Sequence, residues 1–168
     1  AMPAIALYFE SSMHRAGMST SEITKALFMV PVVYATITFL SGFIADKAGR
    51  KTTVTLFSTT CVVGYILFVA GILNGWNPYL VGAFAGLYQG SYWIGRDYMN
   101  VMMTEKVPTD IRASVVGAEG LLVIIGLAVG YIVTIIGMTA MPIWWACIAV
   151  SIPSVSVAAI MFALKVKE

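Results

Sequence analysis

Charged residues are scarce in this chain, and their scarcity argues against an ordinary soluble domain. Only 11% of the 168 residues are Asp, Glu, Lys or Arg, whereas 60% are hydrophobic. A soluble domain carries about 25% charged residues, so this chain lacks the polar surface needed to cover itself in water. We therefore expect lipid to be its solvent. The net charge of +2 is too small to indicate nucleic acid as a partner.

Cysteine and histidine are also nearly absent, which leaves little basis for metal or redox chemistry. Cys61 and Cys147 fall inside apolar stretches and are interpreted as buried small side chains. The single histidine, His14, lies in a polar loop and is interpreted as solvated. The sequence contains no Cys-x-x-Cys pair, Ser-His-Asp set or phosphate-binding glycine loop. We therefore predict no enzyme activity, no metal and no cofactor.

Five apolar stretches are long enough to cross a bilayer as helices, which takes about 20 residues. They cover approximately residues 26–45, 52–73, 78–103, 113–137 and 142–164. Residues 1–15 are also expected to be helical, but their apolar part would span only about 18 Å. The sequence thus predicts an all-α integral membrane protein with five complete transmembrane helices and a partial one. We expect the chain to be a fragment that begins inside a helix.

Signals for helix starts and tight turns accompany these stretches. Ser19 or Ser21 together with Glu22 offers capping chemistry before the first complete span. Pro78 follows a four-residue turn at 74–77 and suits the first turn of the next helix. Because the connections are short, successive helices are expected to run antiparallel.

Positive charge is distributed unevenly between the two ends of the predicted spans. One set of helix ends carries most of the cations, whereas the opposite ends carry only Arg15 and Lys25. The cations of the first set are Lys47, Arg50, Lys51, Lys106, Arg112, Lys165 and Lys167. Cytoplasmic loops of membrane proteins have an excess of Lys and Arg. We therefore place the cation-rich ends and the C-terminus in the cytoplasm.

Two motifs lie at the cation-rich ends. The first is the turn between the first two complete spans, formed by Gly42, Asp46, Lys47, Gly49, Arg50 and Lys51. We expect Gly42 to let helices approach closely and Gly49 to permit the chain reversal. The second is Glu105 followed seven residues later by Arg112. For the first motif, the alternative is a turn that only anchors the protein by its positive charge.

The two motifs together resemble those of the major facilitator superfamily. The first resembles the family's signature loop, Gly-x-x-x-Asp-Arg/Lys-x-Gly-Arg-Arg/Lys, and the second resembles its Glu-x6-Arg pattern, two helices later. The resemblance covers the whole chain and fits the C-terminal six-helix half, with residues 1–15 as the end of the seventh helix.

The resemblance implies secondary active transport by alternating access. The expected substrate is a small organic solute, sugar-like or another metabolite, and coupling to protons is expected. The N-terminal half of the same transporter would complete the cavity in a multi-pass protein of the cytoplasmic membrane. Asp46 and Arg50 with Glu105 and Arg112 would form a cytoplasmic ion-pair latch. A drug/proton antiporter, a non-transporting membrane scaffold and a free-standing half that dimerises are the alternatives.

Charged side chains inside the predicted spans are candidates for coupling. Arg96 and Asp97 lie about 13 Å from the cytoplasmic end of their helix, and Glu119 lies about 10 Å into the next one. Charges in lipid are costly unless they are paired or hydrated, so these groups should face the bundle interior or a watery cavity. Asp97 and Glu119 are the candidate proton carriers. A purely structural Arg96–Glu119 pair with a hydrated Asp97 is the alternative.

Polar and aromatic residues recur every three or four positions on the same helix and form the candidate substrate site. They are Gln89, Tyr92, Trp93, Arg96 and Asn100, to which Tyr8 is added from the first segment. Hydrogen bonding and stacking by such groups suit a hydroxylated or amphipathic solute. The alternatives are interhelical hydrogen bonding for the stripe and an interfacial position for Tyr8.

Glycines recur every four residues in two of the spans. Gly82, Gly86 and Gly90 lie in one span, and Gly126 and Gly130 in the next. Small residues at this spacing allow helices to pack at close range, and we expect both sets to do so.

Overall fold

The computed structural model describes residues 2–140, except the side chains of residues 2–7, 127, 130, 133, 134, 137 and 138. Within this range the chain forms α-helices and no strands, which confirms the all-α prediction there. The helices are α1 (Met2–Arg15), α2 (Thr20–Ala48), α3 (Arg50–Leu73), α4 (Pro78–Lys106) and α5 (Arg112–Ala140). The predicted span 142–164, together with Cys147, Lys165 and Lys167, lies outside the described residues.

The helix-start signals in the sequence are confirmed for two helices. At α2, Ser19 and Glu22 form a reciprocal capping box, in which Glu22 Oε2 accepts the Ser19 backbone N–H at 2.8 Å. At α4, the Asn77 side chain accepts the backbone N–H of Tyr79 at 2.9 Å, and Pro78 occupies the first turn. These bonds satisfy backbone donors that have no partner inside a helix.

Gly49 alone separates α2 from α3. Its φ of 80° is in the region that side chains disfavour, and its backbone N–H still bonds to the Ala45 carbonyl. A residue with a Cβ would be strained in this conformation. The predicted role of Gly49 in the chain reversal is therefore confirmed. Because only one residue connects the two helices, the residues of the first motif stay together at this end of the bundle.

Helix α4 packs between α2 and α3, and its glycines form the contact with α2. A Cβ added at Gly82 would overlap the Ala26 carbonyl, and one at Gly86 would lie 2.7 Å from the Val30 carbonyl oxygen. A Cβ at Gly90 would lie 2.5 Å from Ile37 Cδ1. The predicted close packing at all three glycines is confirmed.

Two other glycines that were expected to pack closely have no close neighbour among the described residues. A Cβ added at Gly42 or at Gly126 would meet no atom within 4 Å, so neither glycine lies at a close helix contact. The close contacts expected at these two positions are therefore absent from residues 2–140. Gly130 is among the residues whose side-chain surroundings are not described.

An aromatic core joins α1 to α3 and α4. Phe9 is fully buried and lies edge-on to Phe68, with ring centroids 5.0 Å apart, and to Tyr88 at 6.1 Å. The hydroxyls of Tyr8 and Tyr65 lie 3.0 Å apart in the same core. Edge-to-face aromatic pairs stabilise beyond the area that they bury. This core holds α1 against the bundle.

Two of the described helices, α2 and α3, are long and apolar enough to cross a membrane, as judged by length and composition. Large apolar side chains also face outward. Phe39 on α2 is 71% exposed and Ile124 on α5 is 64% exposed. Apolar surface of this kind points to contact with lipid or with further protein.

Candidate functional site

A cavity of about 290 Å³ lies between α3, α4 and α5. Its wall combines charged and polar groups with thioethers and aliphatic side chains. The lining residues are Ser58 and Cys61 of α3; Ser91, Tyr92, Gly95, Arg96, Met99, Asn100 and Met103 of α4; and Glu119, Leu122 and Val123 of α5. The α4 residues recur at three- and four-residue intervals, so one face of that helix forms most of the wall. The cavity thus has the small set of polar groups on an apolar background that is typical of ligand sites.

The polar centre of the cavity is an interhelical cluster around Glu119. Arg96 Nη2 lies 3.3 Å from Glu119 Oε1, and Asn100 Nδ2 donates to the same oxygen at 3.2 Å. The Arg96 and Glu119 side chains are 25% and 24% exposed, respectively. Arg96 and Asn100 are four residues apart, which places both on the face of α4 that meets Glu119. The carboxylate therefore receives one charged and one neutral donor.

Two aromatic rings position the arginine. The guanidinium carbon of Arg96 lies 5.1 Å from the centroid of the Trp93 ring, a cation–π contact. Trp93 in turn lies edge-on to Tyr92, with ring centroids 5.5 Å apart. Tyr92 lines the cavity and Trp93 does not, so Trp93 contacts the Arg96 guanidinium from outside the cavity wall.

Two buried polar atoms of cavity-lining residues have no hydrogen-bond partner. They are Ser91 Oγ and Arg96 Nε, and Ser91 is completely buried. Buried polar groups in proteins are nearly always hydrogen-bonded. Because each atom has almost no accessible surface, both lie behind the wall of the cavity and not on its open face.

The structure brings some of the predicted site residues together and leaves others apart. Tyr92, Arg96, Asn100 and Glu119 share the cavity. Gln89 and Trp93 lie on α4 but do not line the cavity. Asp97 does not line the cavity either, and its side chain is exposed. Tyr8 is 4% exposed and lies in the aromatic core instead. Its environment is therefore neither the cavity nor an interfacial surface.

Eight lining residues were missed by the sequence reasoning. They are Ser58, Cys61, Ser91, Gly95, Met99, Met103, Leu122 and Val123. Ser91 and Met99 lie in the row of α4 that also holds Gly95 and Met103, adjacent to the predicted polar-aromatic stripe. Widening the stripe by one row would have included them. The α3 residues had no comparable signal, since the choice of neighbour for α4 is a tertiary property.

The two sequence motifs meet at one end of the bundle. Arg50, at the start of α3, forms an ion pair with Glu105 near the end of α4. Arg112 Nη2 donates to the Val107 carbonyl at 3.3 Å, and within residues 2–140 neither Arg112 nor Asp46 is in an ion pair. Of the four charges expected in the latch, Arg50 and Glu105 are therefore the pair that contact each other. Lys47 lies in the last turn of α2, at the same end.

Comparison of the chain with protein-family models, with curated proteins and with solved structures gave no match. A functional assignment therefore depends on the motifs and on the geometry described above.

Proposed function

We propose that this chain is the C-terminal helical half of a secondary active transporter of the major facilitator type. It moves a small organic solute across the cytoplasmic membrane by alternating access, with coupling to protons. The observation that carries the proposal is the Arg50–Glu105 ion pair, which links the two family-like motifs across α3 and α4. The motifs are separated by more than fifty residues of sequence, and their contact gives each a role that a positive anchor alone would not require.

The cavity supports the same proposal. Arg96 and Glu119 lie within helices whose other side chains are mostly apolar, and they are paired at 3.3 Å beside a space large enough for a small solute. Intramembrane charges that pair at a cavity are typical of substrate and ion pathways. A membrane scaffold needs neither the cavity nor the charges.

In this proposal the exposed Arg50–Glu105 pair is a latch at the cytoplasmic end. Both side chains are about half exposed, 45% and 54%, so water can compete for the pair when the helices separate. A weak pair of this kind can form and break during each transport cycle without a large energy barrier. Glu119 is the candidate proton carrier within the cavity, and Asp97 is the candidate on the outer side of α4. The other six-helix half would close the substrate path.

Proton-driven uptake in proteoliposomes tests the transport proposal. The full-length protein should accumulate a solute from a panel of neutral sugars and metabolites only when a proton gradient is imposed. Glu119→Gln and Asp97→Asn should uncouple uptake from the gradient, while Asp110→Asn in the exposed α4–α5 connection serves as the matched control. Absence of transport in either direction for every solute would refute the proposal and favour a scaffold.

A separate variant tests the latch. Arg50→Ala should change the transport rate or the balance between the inward- and outward-facing states. Lys25→Ala, which removes an exposed cation at the opposite end of α2, should leave both unchanged. Unaltered uptake by Arg50→Ala would count against the latch but not against transport.

Cysteine labelling in intact cells tests the proposed orientation. Lys51→Cys and Lys106→Cys should be protected from a membrane-impermeant maleimide, whereas Asn74→Cys in the α3–α4 turn should react. Reaction of either lysine position from outside the cell would overturn the assignment of this end to the cytoplasm.

A further inference from the structure

Helices α2 and α4 run in the same direction, and their backbones lie closest together at Gly82. A Cβ added at Gly82 would overlap backbone atoms of Ala26. At Gly90, about two turns further along α4, the three α2 atoms nearest to an added Cβ all belong to side chains. The nearest of them is Ile37 Cδ1, at 2.5 Å. Side chains therefore separate the two helices toward the cation-rich end, whereas backbones meet at the opposite end.

Tyr98 spans the wider part of the gap between these helices. Its hydroxyl donates a hydrogen bond to the Ser41 backbone carbonyl on α2, at 3.3 Å. Ser41 is 4% exposed, whereas the nearby Phe39 and Phe43 are 71% and 53% exposed. A carbonyl oxygen has two lone pairs, so Ser41 can accept this bond without losing its place in the α2 ladder. The Tyr98 side chain thus links α4 to the buried side of α2.

A second link lies on the same face of α4. Glu105 follows Tyr98 by seven residues, which is two helical turns, and it forms the ion pair with Arg50 at the start of α3. Since Gly49 alone separates α2 from α3, Ser41 and Arg50 belong to one continuous pair of helices. Helix α4 therefore holds this α2–α3 pair at two points near the cation-rich end, by a neutral hydrogen bond and by an exposed ion pair.

This inference rests on the latch proposed above: we infer that Tyr98 is a positioning residue that holds α2 and α3 against α4 and so brings Arg50 to Glu105. The backbone contact at Gly82 is the fixed end of the α2–α4 pair. The Tyr98 bond and the ion pair depend on side chains that can rotate away, so both can break while the helices stay intact. When they break, the cation-rich ends of α2 and α3 move away from α4.

Distances between spin labels measure this movement without reference to transport. In the full-length protein with its native cysteines replaced, Phe43→Cys and Val101→Cys place labels on exposed positions of α2 and α4 near the cation-rich end. Lys25→Cys and Leu80→Cys place a control pair near the Gly82 contact, also at exposed positions. The first pair should show a short and a long distance, whereas the control pair should show one narrow distance.

Tyr98→Phe removes the hydroxyl and keeps the ring. It should raise the ratio of long to short distances for the first pair by about two- to tenfold, as expected for the loss of one hydrogen bond. Tyr79→Phe, at a tyrosine that is 48% exposed at the other end of α4, is the matched control and should leave the ratio unchanged. A tyrosine that only stabilises the fold would lower the unfolding temperature without changing the ratio, and that result would overturn the inference.

Salt distinguishes the two links, because it screens exposed charges but not a neutral hydrogen bond. Raising NaCl from about 0.05 to about 1 M should increase the ratio in the unmodified protein and in Tyr98→Phe. In Glu105→Gln the ratio should no longer depend on salt. An equal salt response in Glu105→Gln and the unmodified protein would show that the ion pair does not hold the helices together, and would overturn the two-point arrangement.

The outcomes separate this inference from the transport proposal. A higher ratio in Tyr98→Phe without uptake in proteoliposomes would support the role of Tyr98 and refute the transporter. Uptake with an unchanged ratio in Tyr98→Phe would overturn the role of Tyr98 and leave the transporter standing. Equal lengthening of the Lys25→Cys/Leu80→Cys distance would show that the helices separate along their whole length, and would overturn the fixed end at Gly82.

Discussion

Arg96 and Glu119 form a 3.3 Å ion pair between α4 and α5, and Asn100 adds a second donor to the same carboxylate oxygen. The remainder of the described α5 surface is largely exposed. This cluster is therefore the main polar link from α5 to the helices before it, as well as the centre of the cavity.

Breaking the Arg96–Glu119 pair from one side should destabilise the protein. Removing one partner of a fully buried pair costs about 3–5 kcal/mol. Since these side chains are about one-quarter exposed, we expect Glu119→Gln to cost about 1–3 kcal/mol. The double variant Arg96→Leu/Glu119→Leu should recover part of that loss, because no charge is left unpaired. Thermal unfolding in detergent measures both. A double variant less stable than the sum of its single variants would contradict this account.

Breaking the Arg50–Glu105 pair, by contrast, should have little effect on stability. Exposed ion pairs contribute about 0–1 kcal/mol to stability, and these side chains are about half exposed. Glu105→Gln should therefore leave the unfolding temperature nearly unchanged while altering transport kinetics. A charge exchange, Arg50→Glu/Glu105→Arg, should restore part of the kinetic change. If Glu105→Gln lowers stability as much as Glu119→Gln does, the pair is structural rather than a latch.

Gly82→Ala should disrupt the contact between α2 and α4. The new Cβ would overlap the Ala26 carbonyl, and backbone atoms cannot move aside as a flexible side chain can. Overpacking of this kind costs about 1–3 kcal/mol. Gly95→Ala on the same helix is the matched control, because its Cβ would lie at an ordinary 3.5 Å from Ser58 Oγ. Equal unfolding temperatures for the two variants would contradict the close packing at Gly82.

The Tyr8–Tyr65 hydroxyl pair should contribute about one buried hydrogen bond to stability. Tyr8→Phe and Tyr65→Phe should each cost about 0.5–1.5 kcal/mol, and a double-mutant cycle should show that the two losses are not additive. Tyr79→Phe, at a residue that is 48% exposed, should have little effect. Additive losses at Tyr8 and Tyr65 would show that the two hydroxyls do not interact in the folded protein.

The helix boundaries were the features most accessible from sequence. The capping box at Ser19 and Glu22 and the Asn77–Pro78 start are local patterns, and a few neighbouring residues suffice to satisfy the backbone groups at a helix end. The reversal at Gly49 is equally local, since it depends on the φ angle of one residue. These predictions hold without knowledge of how the helices pack.

The composition of the site was only partly accessible. Periodicity placed Tyr92, Arg96 and Asn100 on one face of α4, and opposite charge suggested Glu119 as the partner of Arg96. Periodicity could not distinguish Tyr92 from Trp93, although only Tyr92 lines the cavity. Adjacent helix positions differ by about 100° in direction, and only the neighbouring helices determine which direction faces an open space.

The amino-acid sequence by itself determined that residues 2–140 are mainly helical, where two of the helices begin, and that α4 carries a spine of glycines, Gly82, Gly86 and Gly90. These properties follow from short-range backbone chemistry and spacing. The tertiary structure decided that α2 covers this spine, that Gly42 and Gly126 have no close neighbour within residues 2–140, and that Tyr8 is buried with Tyr65. It also decided that Ser58, Cys61 and Ser91 join Arg96 and Glu119 around one cavity. Such contacts join residues far apart in the chain, and they depend on which of several similar apolar faces pack together.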